Sequence, residues 1–303
     1  MPDLIFHVDT LTSRAFHGNP VTVCILENQR DRAWMHELSR AMNTPESAFV
    51  LPRKTSHARS PNRFDLRAMA GGSEVEIAAS ATLAAAHVLF TRSKANSSKV
   101  GSFVDPRRSI VFFTRGGPVP ASMEDGMLEI NFPALLLEEL SDPPEEILQG
   151  IDPAPEYVGR RGNDYLVQVS SEARLHEVRP DFHFLRGMGM RGLIVTSIAD
   201  QTTSHDFVSR TFHIPRPLED PIASYAPFVL APFWFLRLGK TILKNMAYSA
   251  NRTGRARMIG HSGATRPQGS RRKAGHQFQL IIEGDRVKLI GEAVTVFEGE
   301  LKL

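Results

Sequence analysis

The sequence predicts an α+β protein of two pseudo-symmetric domains, each a β-barrel wrapped round a central α-helix, with a cleft between them. Three observations carry this. Residues 74–81 read EVEIAASA and residues 219–226 read EDPIASYA, so that Glu74 matches Glu219, Ile77 matches Ile222, Ala78 matches Ala223 and Ala81 matches Ala226. Each stretch leads into a segment that is apolar nearly all round, 79–93 and 226–240, the pattern of a helix buried on every side. Short strand-like runs dominate the remainder. A sheet wrapped round one buried helix, twice, accounts for all three.

In chain order, strands are predicted at 4–8, 21–26, 47–52, 64–69 and 109–114 in the first half. The second half continues with 127–132, 164–169, 192–197 and 207–212. QLIIEG, VKLIGE and VTVFEGEL close the chain as hairpins, with turns at Gly284-Asp285 and Gly291-Glu292. A further helix is predicted at 31–42, where Trp34, Leu38 and Met42 fall at amphipathic spacing. The expected domains are 1–118 and 119–289, the last strand, about 290–303, crossing back to the first. The Pro-rich segment 133–155 opens the second.

If the halves face each other, the helices that begin near Ala79 and Ala226 point their N-termini into one cleft. A helix N-terminus offers unpaired N–H groups and about half a positive charge. Two of them form a site for a carboxylate or a developing oxyanion.

Composition narrows the function class. The 303 residues are 42% hydrophobic and 23% charged, ordinary for a globular protein of two domains. Cys24 is the only cysteine, which excludes a disulfide framework and a thiolate metal cluster, and fits a reducing, cytoplasmic location. The start, MPDLIFHVDT, has no basic region before an apolar core and is not read as a secretory signal. No run of about 18 apolar residues is present, so no membrane span is expected. The net charge of +3 is local: Arg252, Arg255, Arg257, Arg266, Arg271, Arg272 and Lys273 stand in a Gly- and Ser-rich segment without Asp or Glu, and the rest of the chain is acidic. That segment lacks the stacking aromatics of a nucleic-acid site and reads as a solvated loop, with a lid over an anionic substrate as the alternative. His7, His17, His87 and His213 show no ligand spacing, and no metal is expected. His87, inside the apolar helix, reads as a core residue with a satisfied partner.

The segments FHVDTLTSRAFHGNPVTV (6–23), MNTPESAFVLP (42–52), EVEIAASATLAAAHVLF (74–90), SRTFHIPRPLEDPIASYA (209–226), LAPFWFLRLGK (230–240) and VKLIGEAVTVFEGEL (287–301) together resemble the phenazine-biosynthesis isomerase (PhzF-like) family of the diaminopimelate-epimerase fold group. The resemblance spans nearly the whole chain. It implies two barrels each round a helix, a homodimer, and chemistry without metal or organic cofactor. It also implies that a single carboxylate moves a proton between carbons; the matching residue is Glu46, in NTPESAFV. A partly desolvated Glu is suited to that task. The alternative for Glu46 is a surface or helix-end acid paired with an Arg. Asp220 matches a position near the family's substrate, which makes it the second candidate catalytic residue beside Glu46, or it caps the second central helix. Ser80 and Tyr225 stand at the matching helix starts, each able to give one hydrogen bond. Asn19, in Gly-Asn-Pro, matches a family turn.

The departures point one way. Where the family reads R-W-F-T-P-x-x-E-V-D-L-C-G-H-A-T, this chain has Ala68 for the tryptophan, Ala78 and Ala79 for the cysteine and glycine, and Ser80 for the histidine. In the second half Ala223, Ser224, Tyr225 and Pro227 replace threonine, glycine, serine and histidine of E-D-P-V-T-G-S-A-H, while Glu219, Asp220 and Pro221 are kept. A small polar acid loses hydrogen bonds by these changes, at about 1–3 kcal/mol each. A larger apolar molecule gains contact, at about 25 cal/mol per Å².

The sequence therefore favours a cofactor-free isomerase or cyclase of a large, mostly apolar, unsaturated secondary metabolite of polyketide or terpenoid type. A pericyclic, Diels–Alder-type ring closure driven by positioning is included. The alternatives are a proton-shuttling isomerase or epimerase using Glu46 on a small acid, and a catalytically silent binding protein.

Overall fold

In the computed structural model, one hydrogen-bonded ribbon of strands winds first round one buried helix and then round another. It describes residues 3–53, 62–70, 73–94, 104–105, 107–214, 218–219, 225–249 and 274–302. The basic segment 250–273, with its lid alternative, and the site candidates Asp220 and Ser224 lie outside the described residues.

The first wrap holds β1 (Leu4–Thr10), β2 (Asn19–Ile25), β3 (Glu46–Pro52), β4 (Arg63–Ala70), β5 (Ser73–Val75), β6 (Ile110–Thr114), β7 (Gly117–Glu124) and β8 (Met127–Pro133). Helix α1 (Arg32–Met42) lies outside it and α2 (Ala79–Lys94) inside. The second begins with β9 (Glu138–Glu139), β10 (Ile151–Asp152), β11 (Tyr157–Arg161), β12 (Asp164–Gln168), β13 (Arg179–Pro180), β14 (Gly192–Ile198), β15 (Phe207–His213) and β16 (Leu218–Glu219). It continues with β17 (Ile242–Ser249), β18 (Ala274–Glu283) and β19 (Arg286–Gly291), before β20 (Ala293–Glu300) returns to pair with β1. Short helices α3 (Glu145–Gly150), α4 (Glu172–Glu177) and α5 (Phe182–Gly187) belong to the outer core of this half, and α6 (Ala226–Leu238) fills the inside.

The two wraps repeat one pairing scheme. β1 to β2 is antiparallel, β2 to β3 parallel, β3 to β4 antiparallel, β4 to β6 parallel, and β6 to β7 to β8 antiparallel. The series β11, β12, β14, β15, β17, β18, β19 runs through the same alternation. In each wrap a short strand, β5 or β16, pairs with the strand before the central helix. The repeated Glu74 and Glu219 stand in these two strands, so the sequence repeat reflects a structural one. The wraps join where β8 pairs with β19, and β7 and β8 continue the first wrap past residue 118.

The helix interiors explain the closure. α2 presents Ala79, Ala81, Ala84, Ala85 and Ala86, all buried, so strands approach closely on several sides, while Leu83, Leu89 and Phe90 fill the wider gaps. Each of the larger three contributes about 1.5–3 kcal/mol by burial. α6 is bulkier. Phe207 stacks on Trp234 at 5.4 Å, and the Trp234 indole donates to the Thr196 hydroxyl at 2.9 Å. Pro232 has no N–H for the carbonyl four residues back. That carbonyl, on Phe228, instead accepts from the Leu135 N–H at 2.9 Å, so the loop after β8 satisfies a group that the proline leaves open. α1 is capped by the Asp31 carboxylate, which accepts from Trp34 N–H at 2.8 Å, and ends at left-handed Asn43 (φ 52°).

The turn at Gly284-Asp285 is a two-residue hairpin turn, with Gly284 at φ 62° and Glu283 opposite Arg286. The predicted hairpin at Gly291-Glu292 is not one: β19 pairs with β18 and β8, whereas β20 pairs with β1. The chain crosses there from one wrap to the other, and Leu11 N–H donates to the Glu292 carbonyl at 2.7 Å. A turn residue marks a change of direction in either case. β17 was not predicted because its core-facing row, Leu243, Asn245 and Ala247, has a polar residue in the middle. Asn245 is buried there because its amide donates to the Ser209 hydroxyl at 3.1 Å.

Candidate active site

Glu46 is the first residue of β3 and is 1% exposed. Its Oε2 accepts from the Ala81 N–H at 2.7 Å. Ala81 is the third residue of α2, so its N–H has no partner within the helix. The carboxylate thus completes the helix start, where the helix dipole favours negative charge. The Thr44 hydroxyl fixes the strand start by donating to the Glu46 carbonyl at 2.8 Å.

Asn19, the first residue of β2, donates from Nδ2 to the Ser80 hydroxyl at 3.2 Å, and both are buried. Its carbonyl accepts from the Thr10 hydroxyl at 3.2 Å. The preceding residue has to be glycine: a Cβ on Gly18 would stand 2.5 Å from Thr12 Cγ2 and 2.6 Å from the Thr10 carbonyl oxygen. Ala79 opens α2. Ala68 lies opposite Ala48, and Ala70 opposite Glu46, so Ala68 is on the same face of the sheet as Glu46. The structure thus brings Asn19, Glu46, Ala79 and Ser80 to the start of α2, with Ala68 one pair further along.

Tyr225 holds the corresponding place at the start of α6, as its N-cap residue without a side-chain cap bond. Its hydroxyl is enclosed and has no hydrogen-bond partner of acceptable geometry. Burial, and then the neighbouring Asp164 charge, push its pKa well above that of an ordinary phenol. A Cβ on Gly192 would come within 2.5 Å of that hydroxyl oxygen and 3.1 Å of Asp164 Oδ1. Gly192 opens β14 as Glu46 opens β3: one wrap has a carboxylate, and the other a glycine over which Tyr225 is laid.

Sequence reasoning did not find Asp164 or Arg191. Buried Asp164 is bound in a two-point ion pair by Arg191, through Nε to Oδ1 at 3.1 Å and through Nη2 to Oδ2. The Arg191 guanidinium lies 5.6 Å from the Tyr225 ring centre. The bond to Asp164 raises the Arg191 pKa, and Glu76, just ahead of α2, adds a smaller contribution. No sequence motif marks Asp164 or Arg191, because the pair forms between strands that are not neighbours in sequence.

Glu74 is set apart from this group. Arg67 binds it through Nε and Nη2, both at 2.8 Å, with Arg115 at 3.7 Å and Arg32 at 4.0 Å. The Arg67 bonds hold the Glu74 carboxyl below the usual range, against the opposing effect of burial. His87 meets Thr295 Oγ1 at 3.1 Å, the partner expected of a core histidine. Among the described residues, no cluster of three or more His, Cys, Asp or Glu side chains could hold a metal, and no helix is long and apolar enough to cross a membrane.

The sequence matches the phenazine biosynthesis-like protein family (PhzC-PhzF) over residues 8–299. It is 33% identical over 300 residues to an uncharacterized isomerase of Halalkalibacterium halodurans, covering 99% of this chain and 98% of that one. Its fold is similar to the crystal structure of a PhzF-family protein from Enterococcus faecalis, with a TM-score of 0.76, 26% identity and all of both chains covered. A PhzC/PhzF protein from Clostridium difficile gives a TM-score of 0.74 at 27% identity, over 99% of this chain and 100% of the other. The chain belongs to the phenazine biosynthesis-like (PhzC-PhzF) family, with the diaminopimelate-epimerase-like double-barrel fold, and is an isomerase.

Proposed function

We propose that the protein is an isomerase in which Glu46 moves a proton between two carbons of an unsaturated small molecule. The observation that carries this is the buried Glu46 carboxylate set on the Ala81 N–H at the start of α2. A carboxylate so placed has a fixed position, and its ionised form is the one that removes a proton. The C–H bond beside a carbonyl or conjugated system breaks, and its proton goes to Glu46. The electron pair passes into the conjugated system, with negative charge gathering on the carbonyl oxygen. The Ser80 hydroxyl and the N–H groups at the helix starts stabilise that oxygen. The protonated Glu46 then returns the proton to a different carbon, which restores the carboxylate and moves the double bond. In this reading Asp220 is the second catalytic residue and orients the carbonyl or enol, Ser224 and Tyr225 complete the substrate-binding side, and Asn19 holds the Ser80 hydroxyl.

A second reading is favoured by the small apolar Ala68 and Ala79 beside Glu46. It is ring closure of a larger polyene-like secondary metabolite, in which the cleft positions the substrate and Glu46 transfers no proton. Incubation of candidate unsaturated acids and ketones in D₂O separates the two. The proton-shuttle reading expects deuterium to enter the product or remaining substrate through Glu46, and Glu46→Gln to lose about a hundredfold or more in rate. A Glu46→Gln enzyme of full activity overturns it and leaves ring closure. The homodimer implied by the resemblance is tested separately by light scattering.

A further inference from the structure

We propose that Arg161 and Arg191 form a second recognition subsite on the Tyr225 side of the cleft, taking a carboxylate or phosphate carried by the substrate away from its reacting carbon. The proposal rests on the reading of this cleft as the active site, and its test does not depend on turnover.

The subsite is an open cavity of about 490 Å³ lined by Arg161, Gly162, Asn163 and Arg191. Its floor is built before any ligand arrives. Gly162, at φ 59°, turns the chain from β11 into β12 and leaves Arg161 opposite Asp164. Arg191 is held at both backbone ends: its N–H donates to the Asn163 carbonyl at 2.8 Å, and its carbonyl accepts from Ile214 N–H at 3.1 Å. Its side chain is held by buried Asp164 through Nε and Nη2. A guanidinium has five N–H donors, so this grip leaves donors on Nη1 for a ligand and removes most of the entropic cost of fixing the fork.

Asp164 balances Arg191, and among the described residues Arg161 has no carboxylate within ion-pair distance, so the pair retains one unit of positive charge. The unpartnered Tyr225 hydroxyl lies buried behind it, against Gly192 and Asp164. The Glu76 carboxylate, just ahead of α2, adds a small attraction to Arg191 and so opposes anion binding. An arriving anion has to compete with it, and that competition gives the test its second arm.

Inorganic phosphate and glutarate are titrated separately into the full-length protein at low ionic strength, followed by calorimetry or amide chemical shifts. Saturable binding is expected. Arg161→Ala should weaken it about tenfold, the scale of one charge-assisted hydrogen bond, with Arg161→Lys between the two. Glu76→Gln should strengthen it severalfold by removing the opposing charge. Stronger binding of glutarate assigns the subsite to a carboxylate, and stronger binding of phosphate to a phosphate. Failure of both ions to bind, or unchanged affinity in Arg161→Ala, overturns the proposal. Glu46→Gln should bind these ions as the wild type does. If it also remains fully active, the proton-shuttle reading falls while the subsite stands.

Discussion

The Glu46 carboxylate and the Ala81 N–H, 35 residues apart in sequence, meet at 2.7 Å inside the first barrel. One contact therefore caps the central helix and fixes the candidate acid. The two roles respond differently to substitution. Glu46→Gln keeps an oxygen for the Ala81 N–H and should cost about 1 kcal/mol of stability or less, while activity collapses. Glu46→Ala leaves the buried N–H unpaired and should cost about 1–3 kcal/mol in urea unfolding. Equal stability of the two variants would mean that the cap contributes nothing.

Gly192 should tolerate no side chain while Tyr225 is present. Gly192→Ala places a methyl 2.5 Å from the Tyr225 hydroxyl oxygen and should cost about 1–3 kcal/mol. Tyr225→Phe removes that oxygen, so the double variant should recover most of the loss. Additive losses in the double-mutant cycle would show that the two residues do not meet.

Acid should weaken the fold through His87. Burial lowers its pKa from 6.5 to about 4. The folded protein thus keeps the imidazole neutral where the unfolded chain binds a proton. Stability from this source is complete above the unfolded value, falls as the pH drops toward the folded one, and is level below it. The loss between about pH 7 and pH 5 should be about 2 kcal/mol. His87→Gln, which can still bond Thr295, should flatten that part of the stability profile. An unchanged slope would place the acid sensitivity elsewhere.

Cys24 should be inert in the native protein. Burial chiefly, with the Asp3 charge, pushes its thiol up to about 12, against a smaller lowering by Arg30. Iodoacetamide should label it only after unfolding, at the rate of the opening reaction. Rapid labelling of the native protein would show that the layer of Met35, Phe49 and Met69 over it opens locally.

The sequence by itself determined the repeat, the two central helices and most of the strands, because all-round apolar runs and short β-rich runs are local properties of the chain. Its resemblance to the family also singled out Glu46, Ser80 and Asn19, whose motifs sit at strand and helix ends. Tertiary structure alone decided the rest. The Asn245 strand needed Ser209 before its polar centre made sense, and the crossover at Gly291 needed β1 and β8 to draw β19 and β20 apart. Asp164 and Arg191 carry no motif, since their meaning comes from pairing across 27 residues beside Tyr225. The pairing that sets Glu46 against one helix start and Gly192 against the other is likewise a property of the two wraps. The chain writes each strand separately, and only parallel pairing of β2 with β3 and of β12 with β14 places their first residues beside the starts of α2 and α6.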